Sequence, residues 1–164
     1  MVIFVNNIMI QRVYIDTSVI GGCFDEEFMD WSNKLVREFL TGQKIAIISD
    51  ITIDEVMDAP KPVRDKLDEI INGEFKELIP ADQEVKELAE IYILEGAVSR
   101  KYYEDALHIA MATIHKASVL ASWNFKHIVN LERIRQYNAV NIKKGYALLE
   151  IRSPREIVKI EDNE

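Results

Sequence analysis

Short apolar stretches alternate along the chain with longer segments in which apolar residues recur at helical spacing. The apolar stretches that resemble buried strands are 12–16, 44–49, 75–80, 118–122 and part of 147–154. Helical spacing occurs in 28–40, 61–73, 82–97 and 102–116, and a short helix is predicted directly after 44–49. This alternation is typical of a parallel sheet covered by helices on both faces. We therefore predict an α/β fold, a three-layer α/β/α sandwich with a central parallel sheet.

The length of 164 residues suits one domain with a substantial core. We predict that this domain occupies 12–154. Residues 1–11 are apolar but have neither a basic leader nor a cleavage site, so they are predicted as an N-terminal extension or a lead-in to the first strand. Residues 155–164, which end in EDNE, are predicted as a C-terminal tail.

Charge and cysteine content narrow the functional classes. The net charge of −8 argues against a broad nucleic-acid-binding surface, although it is compatible with a local basic rim around an acidic pocket. The single cysteine, Cys23, excludes an internal disulfide and a cysteine-based metal cluster, and it suits a reducing cytoplasm. No apolar run approaches the roughly 20 residues that a membrane-spanning helix needs. We therefore predict a cytoplasmic protein without a membrane segment.

Acidic residues occur where a parallel sheet carries its functional residues, beyond the carboxyl ends of the strands. Asp16 directly follows the apolar residues of the first strand, and Glu55 lies just beyond the second. Each has a structural alternative, since Asp16 is a good helix N-cap and Glu55 has capping-box spacing from Thr52. The residues alone leave both interpretations of each acid open.

A third acid, Asp105, belongs to a helix that is apolar nearly all round, which is typical of a buried helix. A buried carboxylate needs a partner or a metal ion. The alternative is an exposed position in the first turn, favoured by the helix dipole, and Glu104 fits that alternative better. If the fold brings Asp105, Asp16 and Glu55 together, Mg²⁺ or Mn²⁺ would relieve their repulsion and activate water for phosphodiester hydrolysis.

Four motifs resemble, in their order and spacing, those of the PIN-domain family. They are YIDTSVI in the first strand, ISDITIDEV after the second, EDALHIAMA on the buried helix and VLASWNFKHI at the fourth strand. The resemblance covers roughly 12–152. The family contains many small metal-dependent ribonucleases, including the VapC-type toxins of toxin–antitoxin pairs.

The resemblance implies a central parallel sheet between helices, with an acidic pocket formed by Asp16, Glu55 and Asp105. It implies that these catalytic residues hold Mg²⁺ or Mn²⁺ and that the substrate is RNA. It also implies a homodimer and, for a toxin, a small antitoxin protein as partner.

Asn124 departs from the family pattern, which usually places a fourth acid here after a Ser or Thr that Ser122 matches. An amide oxygen still accepts a hydrogen bond from a metal-bound water. We therefore expect Asn124 to belong to the catalytic site. Because it brings no charge, we expect it to weaken the affinity of the site for metal. Loss of a two-metal mechanism is a further alternative. Thr17 and Ser18, next to the first acid, are further supporting candidates together with Ser122.

Two histidines lie one turn beyond members of this set, His108 after Asp105 and His127 after Asn124. Each is a candidate for contacting phosphate or moving a proton, and the alternative for each, as for His115, is a hydrogen-bonded structural histidine. The segment 124–146 is rich in Asn, Lys, Arg and Tyr, which suits either a phosphate-contacting rim or an ordinary solvated helix and loop. Core or dimer contacts are favoured over base stacking for Trp31, Tyr92, Tyr102 and Tyr103.

The leading hypothesis is therefore a metal-dependent endoribonuclease of PIN type, and one specific form of it is the toxin of a toxin–antitoxin pair. The alternative is a catalytically weakened PIN-like module that acts by binding RNA or protein, which Asn124 and the net charge favour. A phosphoryl-transfer enzyme with an aspartyl nucleophile is disfavoured because Asp16 has no acidic neighbour two residues on. Gly21 and Gly22 lie too far beyond the first strand for a phosphate-binding loop.

Overall fold

A five-stranded parallel sheet forms the centre of the protein. The computed structural model describes residues 4–5 and 8–160. The strands are β3 (Arg12–Ile15), β4 (Ile45–Ser49), β5 (Lys76–Ile79), β6 (Val119–Ala121) and β7 (Ile151–Arg152), after a short antiparallel pair, β1 (Phe4–Val5) and β2 (Ile8–Met9). The order across the sheet is β5-β4-β3-β6-β7, and every neighbouring pair is parallel. The prediction of an α/β fold with a central parallel sheet is confirmed.

Helices cover both faces of the sheet. They are α1 (Thr17–Gly22), α2 (Met29–Leu40), α3 (Asp50–Met57), α4 (Lys61–Ile71), α5 (Gln83–Leu94), α6 (Tyr103–Ile114), α7 (Leu131–Lys143) and α8 (Pro154–Ile157), with a 3₁₀ turn at Arg100–Tyr102. The predicted helix 82–97 starts one residue later because Asp82 caps it, and it ends before Gly96, which has a φ of +80°. The last strand, predicted within 147–154, is Ile151–Arg152.

Alternation along β3 divides its side chains between two cores. Tyr14 lies on one face, where it joins a buried cluster with residues of α5, α6 and α7. Val13 and Ile15 lie on the other face, in a cluster with residues of α1, α2 and α4. Because each face of a strand receives every second residue, this central strand is buried throughout and fixes both layers.

The described part of the predicted tail 155–164 lies against the domain. Val158 is buried in the core cluster of α1, α2 and α4, and the backbone N–H of Lys159 donates to Oε1 of Glu38 at 3.0 Å. Glu38 also forms a buried ion pair with Lys44. Among the residues described, no helix is long and apolar enough to cross a membrane.

The positive φ of Gly96 gives a first prediction. An added Cβ at Gly96 would meet no atom within 4 Å, so Gly96→Ala tests backbone strain alone. We expect a loss of about 1 kcal/mol in the free energy of unfolding, measured by urea denaturation. Gly21→Ala is the matched control, because Gly21 has equal space but lies within α1, where alanine stabilises by about 0.5–1 kcal/mol. Equal effects at the two positions would contradict this account.

Candidate functional site

The carboxyl ends of the two central strands place the first two predicted acids. Asp16 directly follows β3 and is the N-cap of α1, where its Oδ1 accepts a hydrogen bond from the Val19 N–H at 3.3 Å. β4 ends at Ser49, which caps α3 by accepting from the Thr52 N–H at 3.2 Å, and α3 carries Glu55. Both acids therefore reach the same edge of the sheet, as expected for parallel strands.

Asp16 is buried and held by hydroxyl groups. Oγ of Ser18 donates to its Oδ1 at 2.6 Å, and Oγ of Ser122 donates to its Oδ2 at 2.5 Å. Burial raises the pKa of Asp16, against the charge of His108 and these hydroxyl bonds. The helix-cap alternative and the site hypothesis are thus both compatible with the geometry, since one oxygen caps α1 while the carboxylate contacts residues after β6.

Glu55 lies between Thr17 and His108. Its Oε2 accepts a hydrogen bond from Oγ1 of Thr17 at 2.6 Å, and its Oε1 lies 2.9 Å from Nε2 of His108. The capping-box alternative for Glu55 is wrong, because α3 starts at Asp50 and Thr52 lies inside the helix. Burial opposes the charge of Glu55, but the His108 and Thr17 bonds outweigh it and lower the pKa.

His108 is buried at the centre of the acids and links them to the core of the sheet. Nε2 of His108 donates to Glu55, because a carboxylate can only accept a hydrogen bond. Nδ1 of His108 lies 2.6 Å from the Tyr14 hydroxyl. That hydroxyl in turn lies 2.8 Å from Oγ of Ser49. Burial opposes the charged imidazole, but the Glu55 bond and the charges of Asp16, Glu55 and Asp105 raise the pKa of His108.

Tyr14 and Ser49 are the two members of this network that sequence reasoning missed. The sequence predicts Tyr14 only as a residue of an apolar strand and Ser49 only as the end of a strand, and neither as a site residue. The signal available was the hydroxyl of a tyrosine in a fully buried strand, because such a group requires a polar partner.

Asp105 lies in the first turn of α6 and is partly buried. Burial is the main cause that raises its pKa, to about 6; the charge of His108 and a hydrogen bond from the Asn124 side chain lower it, and the charges of Asp16 and Glu55 raise it. Asp105 therefore belongs to the same electrostatic cluster as the other two acids. The exposed first-turn alternative fits Glu104, which is exposed.

Asn124 caps a turn and contacts the acidic cluster. Its Oδ1 accepts hydrogen bonds from the backbone N–H groups of Lys126 at 3.2 Å and His127 at 3.0 Å. Its own backbone N–H donates to Oγ of Ser122 at 2.9 Å. The oxygen therefore serves the turn, and the NH₂ group is the part of the side chain that faces Asp105.

His127 lies in a different environment from His108. Its ring stacks on Tyr102 with 3.6 Å between ring centroids, and burial together with the charges of Lys126, Arg133 and Lys101 lowers its pKa. Its buried Nδ1 has no hydrogen-bond partner in the described part of the chain. Among the described residues, no hydrogen bond or ion pair joins His127 to the three acids. His115 lies at the opposite edge of the sheet, where its carbonyl accepts from Arg12 at the start of β3.

The donor set fits a hard divalent cation in its chemistry. Asp16, Glu55 and Asp105 offer only carboxylate oxygens, and their mutual repulsion is relieved in part by His108. Across residues 4–5 and 8–160, no group of three His, Cys, Asp or Glu side chains lies close enough to enclose a metal ion. The carboxylate of Asp16 faces serine hydroxyls, and that of Glu55 faces Thr17 and His108.

Several solved structures have a similar fold. A toxin–antitoxin complex from Klebsiella pneumoniae has 21% identity and a TM-score of 0.52, covering 70% of this chain and 88% of that one. VapC20 of Mycobacterium tuberculosis, a Sarcin-Ricin loop cleaving toxin, has 10% identity and a TM-score of 0.53, covering 70% and 92%. VapBC2 of Rickettsia felis, bound to a promoter DNA fragment, has 16% identity and a TM-score of 0.54, covering 87% and 98%.

Sequence comparison gives the family. No curated protein matches the chain. The sequence profile of the PIN domain matches residues 13–128, a span that runs from β3 through the turn after Asn124. PIN domains are typically metal-dependent nucleases and generally use divalent metals. The matched span is well over half of the chain, and the chain belongs to the PIN domain family.

Proposed function

We propose that the protein is a metal-dependent endoribonuclease of PIN type, whose Asp16, Glu55 and Asp105 hold Mg²⁺ or Mn²⁺. The proposal is supported by the bond of Glu55 to His108 at the carboxyl edge of the sheet and by the charges of Asp16, Glu55 and Asp105, which all raise the pKa of this imidazole. A partly buried cluster of like charges is costly for folding, and a function that requires it accounts for its presence.

The bound cation would lower the pKa of a water molecule and polarise the phosphoryl group. The residues of the chain then have distinct roles. Ser18 and Ser122 orient Asp16, while Thr17 and His108 orient Glu55. Asp105 has no hydroxyl or imidazole partner within the described residues, so we assign it to position and deprotonate the attacking water.

A second candidate is a weakened PIN-like module that binds RNA or protein without efficient cleavage. It rests on Asn124, which supplies an uncharged group where a fourth acid is usual, and whose oxygen is occupied by two backbone N–H groups. Titration calorimetry with Mn²⁺ separates the two candidates. Tight binding that is lost in an acid variant favours the nuclease, and absence of binding favours the module.

Partners follow from the structural neighbours. Two of them are toxin–antitoxin assemblies, so we propose a small antitoxin as a protein partner and a toxin role. We also propose a homodimer, which rests on the resemblance of the sequence motifs to the PIN family. We further propose a PIN-like domain over 12–154 and, from the free cysteine Cys23, a cytoplasmic location. An antitoxin-like gene next to the coding sequence, whose product co-purifies with the protein, would support the toxin role, and sedimentation measures the dimer.

Two neighbours on α3 provide a matched test of the nuclease proposal. Glu55 contacts Thr17 and His108, whereas Asp54 is exposed. We expect Glu55→Gln to reduce Mn²⁺-dependent cleavage of single-stranded RNA at least about tenfold, because it removes a charged ligand. Asp54→Asn should cleave at the wild-type rate. Cleavage is measured with and without EDTA, and similar rates in the two variants would contradict the assignment.

A further inference from the structure

An aromatic cleft lies beside the acidic cluster. It has a volume of about 450 Å³, and its lining includes Phe28, Trp31, Trp123, Phe125 and Arg155. Trp123 and Phe125 flank Asn124 in the chain, so the cleft begins one residue away from the site on either side. We name this feature the aromatic cleft, and the site described above does not use it.

The rings of the cleft form an ordered wall. Phe28 stacks on Trp123 with 4.2 Å between ring centroids and 17° between ring planes. Phe125 lies 6.3 Å from Phe28 and 6.1 Å from Trp123, at inclined angles, and half of it is exposed to solvent (49%). An exposed aromatic ring at the edge of an existing stack offers a face to another planar ring.

The charges of the cleft favour a base over a phosphate. Arg155, whose guanidinium lies 5.3 Å from the centroid of the Trp31 ring, is the one cation in the lining among the residues described. Glu27 and Glu156 also line the cleft, and Glu156 is held by the Ser153 N–H in the cap of α8. Two carboxylates repel a phosphate, whereas Glu27 can accept hydrogen bonds from the amino groups of a nucleobase.

Trp123 fixes the cleft relative to the acids. Its backbone N–H donates to Oγ of Ser18 at 2.9 Å, and the same Oγ donates to Asp16. Its indole N–H donates to Oγ of Ser32 at 2.8 Å. Gly22 leaves room for this contact, since a Cβ there would lie 2.7 Å from the indole nitrogen. The wall of the cleft is therefore anchored to the same hydroxyl that binds Asp16.

We propose that the aromatic cleft is a nucleobase subsite, in which one unpaired base next to the cleaved phosphodiester stacks on the wall of Phe28 and Phe125. This proposal rests on the proposed RNA-cleaving function of the neighbouring acids. Stacking tolerates any base, while the carboxylate of Glu27 adds a preference for bases with amino groups. The RNA is selected as a single strand, because a paired base cannot enter the cleft.

Tryptophan fluorescence reports directly on this site, because both tryptophans of the chain line the cleft. A short single-stranded RNA is added stepwise to the protein in a buffer that contains Ca²⁺ in place of Mn²⁺. The proteins compared are wild type, Phe125→Ala, Phe125→Tyr and Phe24→Ala. Phe24 is the matched control, since it is equally exposed (49%) and is not part of the lining. A second RNA of the same length is abasic at every position, so that no base is available to the cleft. Cleavage by each variant is then measured in Mn²⁺.

We expect the intact RNA to quench the tryptophan fluorescence of the wild-type protein. The Phe125→Ala protein should bind this RNA about tenfold more weakly. Phe125→Tyr and Phe24→Ala should bind as wild type does, and in Mn²⁺ the alanine variant should raise KM and leave kcat unchanged. Equal binding by wild type and Phe125→Ala, or equal binding of intact and abasic RNA, overturns the subsite and leaves the cleft to a protein partner. If Phe125-dependent binding occurs but no protein cleaves RNA, the subsite stands and the nuclease proposal fails.

Discussion

Asp16→Asn is expected to cleave single-stranded RNA about a thousandfold more slowly than the wild-type protein in Mn²⁺, a loss of roughly 4 kcal/mol of transition-state stabilisation. The substitution removes one charge from the centre of the acidic cluster, where Asp16 contacts both Ser18 and Ser122. Asparagine keeps an oxygen that accepts the Val19 N–H, and it is as good an N-cap as aspartate. The change is therefore directed at charge and leaves α1 capped.

The measurement combines initial cleavage rates with urea unfolding of both proteins. We expect the free energies of unfolding to agree within about 1 kcal/mol, because the cap is retained and a buried charge is removed. A slow variant with wild-type stability assigns Asp16 to the chemistry. Equal cleavage rates would remove Asp16 from the site, and rates that fall only in step with stability would give it a purely structural role.

Asn124→Asp is the second large effect, and we expect it to bind Mn²⁺ about a hundredfold more tightly than wild type. Aspartate keeps the oxygen that accepts from the Lys126 and His127 N–H groups, so the turn persists. It replaces the NH₂ group beside Asp105 with a negative charge. Without metal, that charge should lower the free energy of unfolding by on the order of 1 kcal/mol, through repulsion of the neighbouring acids.

Asn130→Asp is the matched control for this experiment. Asn130 plays the same local role, since its Oδ1 accepts the Arg133 N–H at the start of α7, but it has no contact with the acids among the described residues. Calorimetry of the two variants should show tighter Mn²⁺ binding only for Asn124→Asp. If Asn124→Asp binds Mn²⁺ within twofold of the wild-type affinity, position 124 does not face the metal. The rate of RNA cleavage by Asn124→Asp then tests whether the amide of Asn124 limits the reaction.

Much of the fold followed from sequence because its signals are local. The alternation of buried strands with amphipathic helices predicted the parallel sheet, and the carboxyl-edge rule located Asp16 and Glu55. Boundaries were less accurate where capping decides them. Ser49 ends β4 as predicted and also caps α3, so this helix starts earlier than the capping-box spacing of Thr52 and Glu55 suggests.

The contacts within the site could not be predicted in the same way. The hydrogen bond between Tyr14 and His108 joins the central strand to α6. The two residues are distant in sequence, and both residue types are common in cores. The aromatic cleft likewise combines Phe28, Trp31 and Trp123 with Arg155 from the end of the domain. No local periodicity encodes such tertiary neighbours.

The Ser122–Asp16 bond has a consequence for the timing of synthesis. It joins residues 106 positions apart, across the neighbouring strands β3 and β6. A nascent chain on the ribosome therefore cannot assemble the acidic cluster until β6 and the residues after it have emerged. Contacts of such long sequence separation also form slowly. Any chemistry that depends on Asp16 in this setting therefore begins only after most of the chain has been translated.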